Sequence, residues 1–215
     1  MHRISLYINA LQYRIWRRFH NLRCRAYREQ FKNKDVTIIS MNCSGGLLYH
    51  DLGEKFLSPT VNMYLKAEDF IKLCENLKYY MSVEKMTECK DATKIGGRTY
   101  PLAWIDDILL YLVHYKSVDE AQKKWDERKK RINWDKICLI DTDREGMTPE
   151  LMDRFEKLPY KKVMFTHLPT GRGPEFVYIK GFEKESCVGI ITDPDGWTGL
   201  RPVDQFDWVG FLNEV

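Results

Sequence analysis

The sequence lacks the cysteine spacing of a zinc site or of a redox motif. Its six cysteines stand at positions 24, 43, 74, 89, 138 and 187, and no two of them form a Cys-x-x-Cys pair. A chain of 215 residues with 44% hydrophobic content can form a core without disulfides. We therefore expect reduced thiols in a cytosolic protein, and the pattern assigns no metal ligands and no cofactor.

Long apolar runs are also missing. No segment reaches the roughly 18 apolar residues that span a bilayer, and the first residues lack the apolar core and cleavage site of a secretory signal. Neither a P-loop nor the glycine fingerprint of dinucleotide-binding folds is present. These absences predict a cytoplasmic location and exclude the common nucleotide-binding motifs.

Acidic residues are scarce at the start of the chain. Residues 1–35 hold nine Lys or Arg against Glu29 and Asp35, a net charge of +7. The remaining residues hold 25 basic and 29 acidic side chains, a net charge of −4. This asymmetry predicts different roles for the two parts.

The basic segment has the apolar spacing of one helix over residues 3–31. The apolar positions recur at three- and four-residue steps and are Ile4, Ile8, Leu11, Ile15, Phe19 and Leu22. The helix either packs on the domain or on another copy, or lies on an anionic membrane at its inner face. Nucleic acid is not expected as a partner, because no nucleic-acid motif follows. We divide the chain into a basic amphipathic helix, 1–34, and a single α/β domain, 35–215.

The remaining pattern predicts an α/β fold whose mixed, mostly parallel sheet is flanked by helices. Alternation of strand and helix over 107–166 predicts βαβ units, and the C-terminal part is rich in Gly and Pro. Gly96-Gly97 predicts a turn. The predicted strands are 36–40, 83–88, 100–105, 107–115, 137–140, 162–166, 175–180 and 188–192. The predicted helices are 46–52, 67–81, 118–131, 149–157 and 203–213.

One stretch, IISMNCSGGLLYHDLG at residues 38–53, runs from a strand through small and polar residues into a short helix. Ligands of open α/β sheets bind beyond the carboxyl ends of strands. Glycines allow close backbone approach, and the amides at a helix start attract anions. We predict that Asn42, Ser44, Gly45 and Gly46 contact a phosphate or diphosphate. The alternative is a tight turn around a small buried thiol.

The same stretch contains candidate catalytic groups. Cys43 stands at a helix start, which lowers the pKa of a thiol, so it is a candidate nucleophile with His50 or His114 as its base. A sugar hydroxyl must lose a proton before it attacks. We therefore predict His50, Asp51 and Asp107 as acid or base groups. The alternative for Asp107 is an ordinary turn at the start of a strand.

A second stretch, ICLIDTDREG at residues 137–146, places carboxylates after an apolar strand. Asp141 and Asp143 form an Asp-x-Asp pair, and carboxylate oxygens are the ligands that Mg²⁺ or Mn²⁺ prefers. Aspartates are also ordinary turn residues at strand ends. Both interpretations stay open from the spacing alone.

The order of these motifs resembles a bacterial family catalogued as a domain of unknown function, DUF1919. The resemblance covers about residues 35–212 and rests on IISMNCSGGLLYHDLG, DDI at 106–108, HYKS at 114–117, EAQKKW at 120–125, RIN at 131–133 and DRFEKLPYKKVMFT at 153–166. It implies an α/β fold and a role in exopolysaccharide or capsular polysaccharide biosynthesis. We expect a transferase that uses a nucleotide sugar or a lipid-linked sugar. The alternative is a non-catalytic partner of glycan-assembly enzymes at the membrane.

The chain departs from the family pattern at two places. The family pattern reads Asn-Asn-Cys-Trp-Gly-Gly. This chain has Met41 in place of the first Asn and Ser44 in place of the Trp, so its activity cannot require the family's Asn and Trp side chains. The family's Asp-Arg-Asp-Gly matches Asp143 and Arg144, whereas Asp141 lies outside it. The resemblance therefore implies ligand contact by Asp143 and Arg144 rather than an Asp-x-Asp metal site.

Overall fold

The computed structural model describes residues 2–95, 98–194 and 199–215, so the turn expected at Gly96-Gly97 lies outside the described residues. The helices are α1 (His2–Gln30), α2 (Ser44–Leu52), α3 (Ala67–Glu75), α4 (Leu77–Ser82), α5 (Val118–Lys129), α6 (Pro149–Glu156) and α7 (Trp208–Asn213), with a 3₁₀ turn at Pro202–Gln205. The strands are β1 (Thr37–Ser40), β2 (Thr87–Ile95), β3 (Arg98–Ile105), β4 (Ile108–Tyr111), β5 (Ile137–Thr142), β6 (Lys161–Thr166) and β7 (Phe176–Tyr178).

Two sheets organise the chain. Four parallel strands form one sheet in the order β1-β5-β6-β7, and β2-β3-β4 form an antiparallel sheet. In the parallel sheet Ile39 pairs with Leu139, and Ile140 pairs with Val163. The α/β fold and the N-terminal helix that the sequence predicts are confirmed.

Both faces of the parallel sheet are covered. Ile39 and Leu139 belong to a core shared with α3, α6 and the antiparallel sheet. Ile38 and Ile140 belong to the opposite core, shared with α2 and α7. Because both faces of these strands are buried, neither face needs polar side chains. This explains why the strand sequences are continuous apolar runs. The carboxyl ends of β1 and β5 lie side by side at one edge.

Several sequence predictions differ from the structure. The strand expected at 83–88 begins only at Thr87, and the helix expected at 203–213 is a 3₁₀ turn followed by α7. The expected βαβ unit from β4 to β5 is wrong, because β4 pairs antiparallel with β3 across a turn in which Asp106 has φ +51°. The helix expected over 67–81 is two helices, because Asn76 leaves helical geometry at φ −128°, ψ 43°. Residues 188–192 form no strand and follow an irregular path.

Helix α1 packs on the domain along its C-terminal half. Trp16 Nε1 donates to the Gly199 carbonyl at 2.8 Å, and a Cβ on Gly199 would overlap the Trp16 ring. Arg23 forms an ion pair with Asp204, and Phe31 is buried. Within the described residues, no helix has the length and apolar content that crossing a bilayer requires.

Candidate functional site

The loop after β1 is held together by its own side chains. The Asn42 Oδ1 atom accepts hydrogen bonds from the Ser44 amide at 3.0 Å and from the Ser44 hydroxyl at 2.6 Å. The Ser40 hydroxyl oxygen accepts one from the Gly45 amide at 3.2 Å. Such side-chain bonds satisfy the free amides of a helix start. The Ser44 and Gly45 amides are therefore used within the protein, contrary to the expectation that they bind a phosphate.

Gly45 is required by close packing rather than by an unusual backbone conformation. A Cβ on Gly45 would lie 2.8 Å from the Ser40 Cβ, closer than two non-bonded carbon atoms approach in proteins. On Gly46 it would lie 3.0 Å from Val61 Cγ1. The glycines with positive φ among the described residues include neither of the two. The two glycines allow the start of α2 to lie directly against β1 and the loop at Val61.

A cavity of about 400 Å³ lies beside this loop, at the carboxyl ends of β1 and β5. Residues 42–44 border it from the end of β1, and Arg144 and Glu145 border it from the end of β5. His114, which follows β4, and residues 189–192 complete much of the rim. This is the place where open α/β sheets bind ligands.

Opposite charges meet at the rim of the cavity. Arg144 Nη1 donates to the Gly189 carbonyl at 2.9 Å, and its Nη2 lies 4.0 Å from Glu145 Oε1. Glu145 has φ +55° and the following Gly146 has φ +87°. This left-handed turn follows β5 and lies at the part of the chain that borders the cavity.

Asp143 organises the rim instead of lining it. Its Oδ1 accepts from the Val188 amide at 2.7 Å, and its Oδ2 accepts from the His167 amide at 2.7 Å. The His167 ring nitrogen Nδ1 also contacts Oδ2. A carboxylate that binds two backbone amides fixes the segments to which they belong. Asp143 thus holds the segment before Gly189 in place.

Tyr64 supplies an aromatic surface at the cavity. Its ring stacks on Tyr111 with centroids 4.3 Å apart and planes 16° apart. Its hydroxyl lies 3.3 Å from that of Tyr100. Burial, with this hydrogen bond, raises the pKa of Tyr64, so the hydroxyl stays neutral. A fixed, flat ring of this kind can pack against a nucleobase or a sugar face.

Cys43 borders the cavity, but its thiol is not activated. Burial raises the pKa of Cys43 to about 11. The thiol form dominates at neutral pH, and the thiolate is the nucleophilic form. The expected lowering of the pKa by the helix start is therefore outweighed by desolvation. The arrangement favours a packing role for this side chain.

The other three residues predicted as catalytic lie away from the cavity. The His50 side chain is 77% exposed on α2. Asp51 lies between α1 and the segment before the 3₁₀ turn: its Oδ1 lies 3.2 Å from His20 Nε2 of α1, and its Oδ2 lies 2.6 Å from Arg201 Nη2.

Asp107 lies in the turn between β3 and β4. It accepts hydrogen bonds from Lys72 Nζ at 2.5 Å and from the Tyr80 hydroxyl at 2.8 Å. The Lys72 ammonium holds the pKa of Asp107 below its usual range. The residue thus stays ionised in an exposed ion pair at the opposite end of β4 from the cavity.

One group of possible metal ligands occurs among the described residues, and it lies beside α1. Atoms of His20, Cys24 and Asp51 all lie within 4.8 Å of one another. Arg201 already binds the same carboxylate, and its cation would repel a metal ion. Burial raises the pKa of Cys24 to about 11 and lowers the pKa of His20. We interpret the group as a buried ion-pair network that joins α1 to α2.

The Asp-x-Asp pair does not form a shared cation site. Asp141 is fully buried, burial raises its pKa well above the usual range, and its Oδ2 atom has no hydrogen-bond partner. Both Asp143 oxygens bind backbone amides. Asp141 belongs to the side of the sheet that packs on α3 and α6, because alternate residues of a strand point to opposite faces.

The cavity also includes residues that the sequence interpretation missed. Glu145 follows directly after Arg144, and its place before Gly146 was a usable signal for a tight turn. Tyr64 follows no recognisable motif. Residues 189–192 carry a strand-like pattern, and only the tertiary structure brings them to the cavity.

Comparison with known proteins agrees with the motif order. The family described as "Domain of unknown function (DUF1919)" matches residues 15–213. An uncharacterized protein of Haemophilus influenzae is 37% identical over 192 residues, which cover 89% of this chain and 90% of that protein. The match begins inside α1, so it includes the half of the helix that packs on the domain. Both the extent of the match and the identity of the relative show that the chain belongs to the DUF1919 family.

Proposed function

We propose that the cavity binds the phosphate-linked part of a nucleotide sugar or a lipid-linked sugar, and that the protein is a transferase of bacterial exopolysaccharide or capsular polysaccharide biosynthesis. The observation that carries the proposal is the position of Arg144 beside Asn42 and Ser44 in a cavity at the carboxyl edge of the sheet. If the substrate is a lipid-linked sugar, the transfer reaction would take place at the inner face of the membrane.

The chemistry of the rim fits a sugar diphosphate. A guanidinium group binds phosphate oxygens through two parallel hydrogen bonds, and Arg144 is the cation at this site. The amide nitrogen of Asn42 adds an uncharged donor, whereas the Ser44 hydroxyl already donates its hydrogen to Asn42 Oδ1. Tyr64 offers a face for a base or a sugar ring. The volume of about 400 Å³ suits part of a nucleotide sugar.

Acid and base roles fall to groups at the rim. His114 and Glu145 border the cavity, whereas His50, Asp51 and Asp107 do not. A base within hydrogen-bond reach must take the proton of the attacking hydroxyl. We assign this role to His114 or Glu145, and we assign Cys43 to packing beside the ligand.

The second candidate is a non-catalytic partner of glycan-assembly enzymes that binds the same ligand. One observation favours it: of the four residues predicted as catalytic, Cys43 alone borders the cavity, and its thiol has a raised pKa. Such a protein would recognise a sugar phosphate without turning it over.

Binding is tested first, by thermal shift and calorimetry of the full chain with a panel of nucleotide sugars, with and without Mn²⁺. Loss of a charged hydrogen bond costs about 1.5–3 kcal/mol, so Arg144→Gln should weaken binding about 10- to 100-fold. Arg25→Gln, an exposed change on α1, is the matched control and should leave binding unchanged. If no nucleotide sugar or sugar phosphate binds the wild-type chain, the proposal is wrong.

Turnover then separates the two candidates. For a transferase, His114→Gln or Glu145→Gln should lower the rate at least 100-fold, the usual contribution of acid–base catalysis, with the dissociation constant unchanged. If the ligand binds to the wild-type chain and stays intact with every sugar acceptor tried, the partner role is favoured.

A further inference from the structure

The two long sides of α1 have different surroundings. The side that meets the domain carries Trp16, His20, Arg23 and Cys24, which bond to or pack on α2 and the C-terminal part. Three apolar side chains of the predicted stripe lie on the other side, where Leu11, Phe19 and Leu22 are 55%, 54% and 58% exposed. We call this side the outward face of α1. Its apolar side chains are not the ones that anchor the helix.

Arginines flank the outward face. Arg14, Arg17 and Arg18 are exposed, and together with Leu22 they line an open groove along the helix. Residues three and four apart are neighbours on a helix, so Arg18 adjoins Leu22 on one side and Arg14 on the other. No Asp or Glu occurs before Glu29. The face therefore combines apolar side chains with uncompensated positive charge.

We propose that the outward face of α1 docks on an anionic lipid surface, with Leu11, Phe19 and Leu22 among the acyl chains and the three arginines on lipid phosphates. The combination of an apolar stripe and flanking cations is typical of interfacial helices. A second copy of the chain is disfavoured as the occupant, because two such faces would bring arginine against arginine in either helix orientation. The face is separate from the cavity, so the two proposals stand independently.

Co-sedimentation of the full chain with vesicles tests the proposal. At low salt the wild-type chain should bind vesicles that contain phosphatidylglycerol and should not bind pure phosphatidylcholine. Each surface cation adds about 1 kcal/mol, so the triple change Arg14→Gln, Arg17→Gln, Arg18→Gln should lower the partition coefficient on the order of 100-fold. The triple change Leu11→Ser, Phe19→Ser, Leu22→Ser should lower it at least about tenfold, because inserted apolar area is lost.

The matched control removes the same charge from the domain. Lys55, Lys66 and Lys116 are exposed, and changing all three to Gln should leave vesicle binding within about twofold. Thermal melts confirm that each variant is folded. The proposal fails if the wild-type chain does not bind anionic vesicles, if neutral vesicles bind it equally, or if the lysine control loses as much binding as the arginine triple. Sedimentation velocity provides a last check. If the wild-type chain is a dimer that does not bind vesicles, and the apolar triple change makes it a monomer, the outward face binds a second copy instead.

Discussion

The two ends of α2 carry similar residues in opposite surroundings. At its start, Asn42, Cys43 and Ser44 border an open cavity. Near its end, Asp51 is closed in by α1 and binds both His20 and Arg201. Polar residues therefore occur at both ends of α2. At one end they border a cavity, and at the other they are bound by side chains of the same protein. Burial alone does not identify a functional carboxylate, since Asp51 is deeply buried and paired and yet joins two helices.

The largest expected effect is at the closed end. Asp51→Ala removes the 2.6 Å partner of Arg201, which keeps only its pair with Asp204, and the side chains of the Asp51–Arg201 pair are only 3% and 7% exposed. Removing one partner of a buried ion pair costs about 3–5 kcal/mol, and the remaining pair with Asp204 places the expected loss near the lower end of that range. Urea denaturation followed by circular dichroism should show this loss. If Asp51→Ala does not fold, Asp51→Asn, which keeps the shape of the side chain, can be measured in the same way.

The neighbouring His50→Ala is the control for that experiment. The His50 side chain is exposed, so its removal should change the free energy of unfolding by less than about 0.5 kcal/mol. A loss below about 1 kcal/mol for Asp51→Ala would contradict the structural role. If Asp51→Ala also abolished binding of the sugar ligand, that result would support a functional role for Asp51.

A smaller effect is expected at the open end. Gly45→Ala places a methyl group 2.8 Å from Ser40 Cβ, which should cost about 1–3 kcal/mol as α2 moves away from β1. Gly46→Ala meets the end of the Val61 side chain, which can rotate, so its cost should be lower. Both substitutions gain about 1 kcal/mol of helix propensity. The difference between their free energies of unfolding therefore measures the cost of the close contact at Gly45. Equal stability of the two variants would show that α2 can shift freely.

The smallest effect is expected for Cys43. Because burial raises its pKa to about 11, the thiolate fraction at pH 8 is about 0.001 and alkylation should be on the order of 100-fold slower than for a free thiol. The rate should rise about tenfold per pH unit up to pH 11. Mass spectrometry of iodoacetamide labelling measures it.

Cys43→Ser should leave ligand affinity within about twofold. A loss of more than about 10³-fold in the rate of an observed transfer, with the fold intact, would instead identify a nucleophile.

Local sequence predicts most elements of the fold. Ser117 and Thr148 accept hydrogen bonds from the amides of Glu120 and Leu151, and Ser and Thr are residue types that favour helix starts. Gly53 ends α2 with φ +73°. The sequence could not show that β4 belongs to a second sheet, because pairing between strands depends on partners distant in the chain. The break at Asn76 was equally hidden within a continuous apolar pattern.

Apolar periodicity and motif order were sufficient to predict the family, the α/β class and the strand ends where we propose a ligand site. Tertiary structure alone decided which polar residues face a cavity. Asp51, Asp107 and Asp143 have the same carboxylate chemistry, yet each is bound by a different element brought to it by folding. The packing of the helix also places Leu11, Phe19 and Leu22 on the outward face of α1, since Trp16, His20 and Cys24 occupy the side that the domain covers.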